Sequence, residues 1–382
     1  MAINVVIAGG GTGGHLFPAI ALARELEKLD MDIEITFVGT KQGIESRIIP
    51  QQGWNLKTII TSGIMGKKGL QKWTSLFRLP VGILQSTCFL LQKRPSLVVG
   101  VGGYASGPLA LSAWALRIPI LIHEQNSIPG MTNRWLGKIA DKVAVSFKES
   151  SSHFPGEKVV ATGNMIREEF CIPREEAEGR RKDKFCVLVL GGSQGAHSIN
   201  SAMADALNLL AEEKEKIHII HQTGEKDFEE IRRKYSASGF ENADVRPFID
   251  DVESCYRAAS LVICRAGATT LAEITACGKM SILIPFPHAA HNHQEKNARL
   301  LESSKAAEMI LDAELNGEQL AQSIKNAMAD EARLEDFEAN SYRLGNREAT
   351  KNVRKICLEL IKETRGRIQE QQEINKSKLS CF

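Results

Sequence analysis

Three absences narrow what this 382-residue chain can be. No run of about 20 apolar residues is free of charge and proline, which excludes a membrane-spanning helix by sequence. The N-terminus lacks a basic segment ahead of its apolar residues and reads as a buried first strand, so no signal peptide is expected. The eight cysteines (88, 171, 186, 255, 264, 277, 357 and 381) form no Cys-x-x-Cys pair, and several lie inside apolar runs where a buried thiol is the ordinary outcome. Structural zinc is not expected, and a reducing cytoplasm is. Acidic residues are also missing from one long stretch, Ser46 to His123, in which nine basic residues stand: Arg47, Lys57, Lys67, Lys68, Lys72, Arg78, Lys93, Arg94 and Arg117.

What is present is the composition of a soluble globular enzyme, 43% hydrophobic and 25% charged, long enough for two domains at roughly 100 to 200 residues each. The net charge of +2 conceals an imbalance, because residues 1–163 carry 17 Lys and Arg against 10 Asp and Glu, and the remainder is net acidic. The first half therefore presents a positive face without a nucleic-acid motif, suited to phosphate groups on a small molecule or to an anionic membrane surface. Nucleic acid is not an expected partner.

Apolar runs that read as strands recur at 3–7, 33–38, 97–101, 119–122, 142–146, 158–161, 185–190, 217–220, 261–264 and 281–285, with helical patterns between them. Strands spaced by helix-length segments predict an α/β fold of parallel sheets with helices on both faces, and here two doubly wound domains facing across a cleft. The join falls near 162–167. A final amphipathic helix starts at Asn346, with Ala349, Val353, Ile356, Cys357 and Leu360 on one face. Residues 365–382 are polar, lack core or turn signals, and read as a frayed tail.

Three glycine loops each sit between a strand and a helix start: Gly9-Gly-Gly-Thr-Gly-Gly-His15, Gly100-Val-Gly-Gly-Tyr-Ala-Ser-Gly-Pro108 and Gly191-Gly-Ser-Gln-Gly195. Glycine lets the backbone approach a ligand closely, and helix N-terminal amides point into the same space. A fourth candidate cradle is Ala266-Gly-Ala-Thr-Thr270, whose amides can take a pyrophosphate. Glu273, one turn further on, can accept bonds from both hydroxyls of a ribose, or be an acid that simply favours the helix dipole. Arg167 offers fixed positive charge to a leaving diphosphate, and Ser193 lies where a phosphate could be bound. His15, at a helix start that disfavours the imidazolium form, is the candidate base, with a purely capping histidine as the alternative. Glu124 is a second candidate base.

These loops, with His123-Glu-Gln-Asn126, Gly163-Asn-x-x-Arg167, Phe248-Ile-Asp-Asp251, Cys264-Arg-Ala-Gly-Ala-x-Thr-x-x-Glu273 and His293-Gln-x-x-Asn-Ala298, occur in one order from residue 3 to about 362. In them the chain resembles the MurG-type N-acetylglucosaminyltransferases of bacterial peptidoglycan synthesis, in glycosyltransferase family 28. The resemblance implies a GT-B fold, UDP-N-acetylglucosamine as donor, and as acceptor the undecaprenyl-pyrophosphoryl N-acetylmuramoyl-pentapeptide, lipid I, which becomes lipid II. It implies no cofactor and no metal. It implies catalysis by His15 or Glu124, and donor contacts at Thr12, Gly13, Gly14, Asn126, Arg167, Ser193, Ile249, Ala268, Thr269, Thr270, Glu273 and Gln294. Gly103, Tyr104 and Ser106 fall on the acceptor side. An acceptor-binding, membrane-facing domain of residues 1–163 is rejoined by the helix 346–362, and residues 164–345 form the UDP-sugar domain. The basic cluster Lys67, Lys68 and Lys72 adjoins Trp73 and Phe77, the composition of an interfacial anchor on the cytoplasmic face of the bacterial inner membrane.

Other signals point elsewhere and are weaker. Asp30-Met-Asp32 has the form used by metal-dependent glycosyltransferases, but it precedes strand two, at the sheet edge opposite to where ligands bind. His288, His291 and His293 lack further ligands at metal spacing beyond Glu295. Gly9-x-Gly11-x-x-Gly14 fits a dinucleotide fingerprint, yet Val38-Gly-Thr-Lys41 has no carboxylate at the end of strand two to hold a ribose, which argues against an NAD(P) oxidoreductase. A non-catalytic UDP-sugar-binding subunit, or an epimerase on the same fold, is the remaining alternative.

Overall fold

A computed structural model describes residues 3–61, 70–173, 184–192, 194–289 and 292–379, with 70–78, 365 and 367–379 described by backbone alone. The chain divides into two compact units, 1–165 with 348–382, and 166–347.

The first unit runs β1 (Ile3–Ala8), α1 (Gly13–Glu27), β2 (Ile33–Gly39), α2 (Glu45–Gln51), β3 (Asn55–Thr58), α3 (Leu70–Lys93), β4 (Leu97–Gly100), α4 (Ser106–Ala115), β5 (Ile120–Glu124), α5 (Met131–Ile139), β6 (Lys142–Val145) and β7 (Val159–Ala161). Its seven strands pair in parallel in the order β3-β2-β1-β4-β5-β6-β7. Alternation along β1 shows why the strands read as unbroken apolar runs. Val5 and Ile7 enter one core with Leu16 and Leu22 of α1, while Val6 and Ala8 enter another with Leu109 of α4. Both sheet faces are covered, so neither can be polar.

The second unit repeats the plan with β8 (Phe185–Leu190), α6 (His197–Leu209), β9 (Ile217–Gln222), α7 (Phe228–Ala237), β10 (Asp244–Arg246), α8 (Val252–Ala258), β11 (Leu261–Cys264), α9 (Ala268–Cys277), β12 (Met280–Leu283), α10 (His293–Ser303), β13 (Ala307–Met309), α11 (Gly317–Ala329) and α12 (Glu331–Leu344). The order is β10-β9-β8-β11-β12-β13, again all parallel. In β8, Val187 and Val189 face one core and Cys186, Leu188 and Leu190 the other.

In each sheet the order reverses beside the first strand, so the topological switch lies between β1 and β4 and between β8 and β11. Ligands of such sheets bind outside the carboxyl ends of the strands at that point. The first two glycine loops leave β1 and β4, and the third loop and the 265–267 turn leave β8 and β11. Asp30 and Asp32 lie before β2, at the other edge.

The last helix, α13 (Ala349–Leu379), belongs to the first unit. Val353, Ile356, Cys357, Leu360 and Ile361 are buried against α1, and Arg354 donates to Glu25 at 2.7 Å. Burial of each aliphatic side chain is worth roughly 1.5–3 kcal/mol, which makes this face the anchor, and Arg354 supplies the partner that the buried Glu25 carboxylate needs. The expectation of a frayed tail from residue 365 is corrected here, since the helix continues to Leu379. The physical reason is composition: Glu, Gln, Lys and Arg propagate a helix already nucleated, with no core face needed. Among the described residues no helix is long and apolar enough to cross a membrane.

Candidate active site

In the first unit, β1 ends at Ala8 and α1 begins after Thr12, whose carbonyl accepts the His15 and Leu16 amides at 3.3 and 3.1 Å. Gly13 and Gly14 fill the first turn, and His15 is half-buried on it. Its Nδ1 is 3.3 Å from Thr12 Oγ1. Were Nδ1 the donor to that hydroxyl, the acceptor lone pair of the ring would be on Nε2, the tautomer a base requires. The ring lies over Gly102, where a Cβ would stand 2.8 Å from Nε2, and a Cβ on Gly103 would stand 2.5 Å from the Gly10 carbonyl. Both glycines have positive φ, 95° and 80°, so at these two positions only glycine allows the loops to meet.

The acceptor-side expectations fall in two groups. Tyr104 is 57% exposed and so open to a ligand. Ser106 is fully buried, its hydroxyl 2.7 Å from the Gly102 carbonyl and 2.9 Å from that of Ala8, which ties the second glycine loop to the end of β1.

Glu124, at the end of β5, is buried and accepts from Asn126 N, Asn126 Nδ2, Gly130 N and Asn133 Nδ2 at 2.9, 3.2, 3.2 and 2.9 Å. Burial raises its pKa, against these four donors. Four bonds use the acceptor capacity of a carboxylate, so its geometry is that of a loop organiser holding Asn126. Beside it, burial pushes His123 down to about 4, and the neutral ring bridges Gln125 Nε2 and the Gly163 carbonyl.

In the second unit, α9 starts after Gly267, with Ala268 and Thr269 buried and Thr270 half-buried. The first amides of an α-helix have no intrahelical acceptor, and here they open at the switch point. Glu273 is buried on the same helix, and desolvation raises it to about 7; Arg167 opposes that shift and Glu253 adds to it. Arg167 Nη1 is 3.7 Å from Glu253 and its guanidinium stacks on Phe170. Arg167 and Glu273 thus form one electrostatic group. Ile249 is buried, and its N–H donates to Gln222 Oε1 at 2.9 Å. Gln294, in the first turn of α10, accepts from the Phe286 amide at 3.0 Å. Ser193 lies outside the described residues, as do Lys67 and Lys68; Lys72, Trp73 and Phe77 lie on α3, where the backbone alone is described.

Sequence reasoning passed over three supports. Glu45 is buried beneath the first glycine loop and accepts the Gly11 amide at 2.8 Å. Gln222, at the end of β9, joins Ile249 to the Gly192 carbonyl. Arg265 binds Asp312, Ser198 and two carbonyls after β12. Each is a single polar residue whose partners are distant in sequence, so no local pattern marks it. Among the described residues no group of three or more His, Cys, Asp or Glu could hold a metal ion.

Comparison with known proteins gives concordant results. The model of the glycosyltransferase family 28 N-terminal domain matches residues 5–145, and that of the family's C-terminal domain matches 186–356. The chain is 46% identical over 364 residues to a protein of Myxococcus xanthus, covering 95% of this chain and 94% of the relative. It is 49% identical over 334 residues to one of Geobacter sulfurreducens, covering 87% and 92%. Both are named UDP-N-acetylglucosamine–N-acetylmuramyl-(pentapeptide) pyrophosphoryl-undecaprenol N-acetylglucosamine transferase. Among solved structures, the MurG of Acinetobacter baumannii is 29% identical, with a TM-score of 0.72 over 93% of this chain and 98% of that one. A UDP-GlcNAc 2-epimerase from Neisseria meningitidis shares the fold at 12% identity, with a TM-score of 0.66 over 94% and 100% of the two chains.

Proposed function

This chain belongs to glycosyltransferase family 28, and from that premise we propose that it transfers N-acetylglucosamine from UDP-N-acetylglucosamine to the muramoyl 4-hydroxyl of lipid I, giving lipid II and UDP. The observation that carries the reading is likeness along nearly the whole chain to transferases named for this reaction. The site chemistry supports it. The hydroxyl oxygen attacks the anomeric carbon, the bond from that carbon to the β-phosphate oxygen breaks, and the hydroxyl proton passes to His15 Nε2. Negative charge on the departing UDP is met by the amides of Ala268, Thr269 and Thr270 and by Arg167. Glu273 takes the ribose hydroxyls, and the segment around Ile249 reads the base. Glu124 acts by holding Asn126, and the base is His15.

We also assign the first unit to the membrane surface, peripherally and on the cytoplasmic face. Val81, Leu84 and Leu91 on α3 and Leu111 and Trp114 on α4 are exposed, between 39% and 65%. The two helices are joined by Thr87 donating to Ser112 at 3.0 Å, and in sequence the start of α3 follows Lys67 and Lys68 and includes Lys72. Exposed apolar surface beside lysines fits an anionic lipid interface.

Incubation with UDP-N-acetylglucosamine, with and without a lipid I analogue, tests the reading. UDP release that depends on the acceptor supports transfer; conversion of the donor to its 2-epimer without acceptor overturns it.

A further inference from the structure

Glu45 is 1% exposed and stands at the start of α2, and among the described residues it makes no ion pair. Its carboxylate accepts three bonds, from Gly11 N at 2.8 Å, Thr40 N at 2.8 Å and Thr40 Oγ1 at 2.9 Å. Three glycines enclose it. A Cβ at Gly10 would lie 2.3 Å from its carboxyl carbon, one at Gly39 2.5 Å from its Cγ, and one at Gly43 2.0 Å from its Oε2. The chain leaves out three side chains so that one charged group can fit beneath the first glycine loop. A buried carboxylate costs several kcal/mol unless its lone pairs are met, and here three donors from the loops on either side meet them.

What it holds is the approach to His15. Gly10 has Glu45 against its Cα and Gly103 against its carbonyl, Gly11 is bonded to Glu45, and the next residue, Thr12, carries the hydroxyl beside His15 Nδ1. We propose that Glu45 is a positioning residue, a buried anionic strut that fixes the β1–α1 loop and through it the imidazole of His15. The inference rests on His15 being the base.

Glu45→Gln keeps the size but replaces one acceptor oxygen with an NH2 group that must face an N–H donor. We expect turnover to fall between about tenfold and 10²-fold, as misplacing a catalytic group by about 1 Å does, with UDP affinity unchanged. The decisive comparison is a double-mutant cycle. In a His15→Ala background Glu45→Gln should add less than about a twofold loss, because the group it positions is gone. A full-sized loss in that background, or weakened UDP binding, overturns the proposal and leaves Glu45 as general scaffolding. If His15→Ala alone keeps parent turnover, the assignment of the base fails instead. Thr40→Val, which removes one of the three donors and leaves the carboxylate, gives the same cycle with a smaller loss should Glu45→Gln not fold.

Discussion

At the scale of the residue, the roles proposed for His15 and Glu273, a proton acceptor and recognition of the donor, are each open to a direct test. His15→Ala should lower turnover by roughly 10²- to 10⁴-fold with UDP affinity nearly kept, measured by steady-state rates and calorimetry. Parent-like turnover would move the role to another group. Burial raises the Glu273 pKa to about 7, and in the proposed role it is the ionised form that accepts from the ribose hydroxyls. UDP binding should therefore tighten as the pH rises through about 7, and Glu273→Gln should flatten that dependence and cost on the order of 1.5–3 kcal/mol in binding. Equal affinity and an unchanged pH profile in the variant would show the ribose to be elsewhere. The sign for stability is opposite: a carboxyl with a raised pKa binds its proton more tightly when folded, so without ligand its contribution weakens the fold as the pH climbs from the usual carboxylate range through about 7. The placement of His15 in the first turn of α1 and of Glu273 within α9 was legible because each sits at a fixed offset from a glycine loop or helix start. Glu45 and Gln222 were not, because what defines them is a bond across the fold.

At the scale of the element, the strand, glycine loop and helix start form the repeated device, and the loops could be read from sequence because glycine runs after β-branched runs have few other meanings. The short strands β3, β10 and β13 escaped notice. Asn55–Thr58, Asp244–Arg246 and Ala307–Met309 include polar, partly exposed residues at or beside sheet edges, so they lack the apolar signature of strands covered on both faces. Helix N-termini also bear on metal dependence. If the α9 amides and Arg167 meet the diphosphate as proposed, and with Asp30 and Asp32 before β2 rather than after a strand, turnover should be unchanged by a chelator. Loss of activity with EDTA, restored by magnesium or manganese, would contradict this.

At the scale of the whole molecule, two units of the same plan divide the work, and the chain returns in α13 to complete the first. The uneven charge follows that division, with the basic, acid-free stretch confined to the unit assigned to the lipid-linked acceptor. Replacing Lys67, Lys68 and Lys72 with Ser should weaken binding to anionic vesicles by about 1 kcal/mol per lysine and leave UDP binding intact; vesicle binding that is unchanged and insensitive to salt would assign the positive face another role. The account as a whole turns on a single displacement at the anomeric carbon, with a hydroxyl entering opposite to the departing UDP. The most direct measurement is the anomeric configuration of the disaccharide formed from UDP-N-acetylglucosamine and a lipid I analogue, read from the proton coupling at C1 by NMR. The account predicts a β-linked product with one UDP released per disaccharide, and an α-linked product, or none, would contradict it.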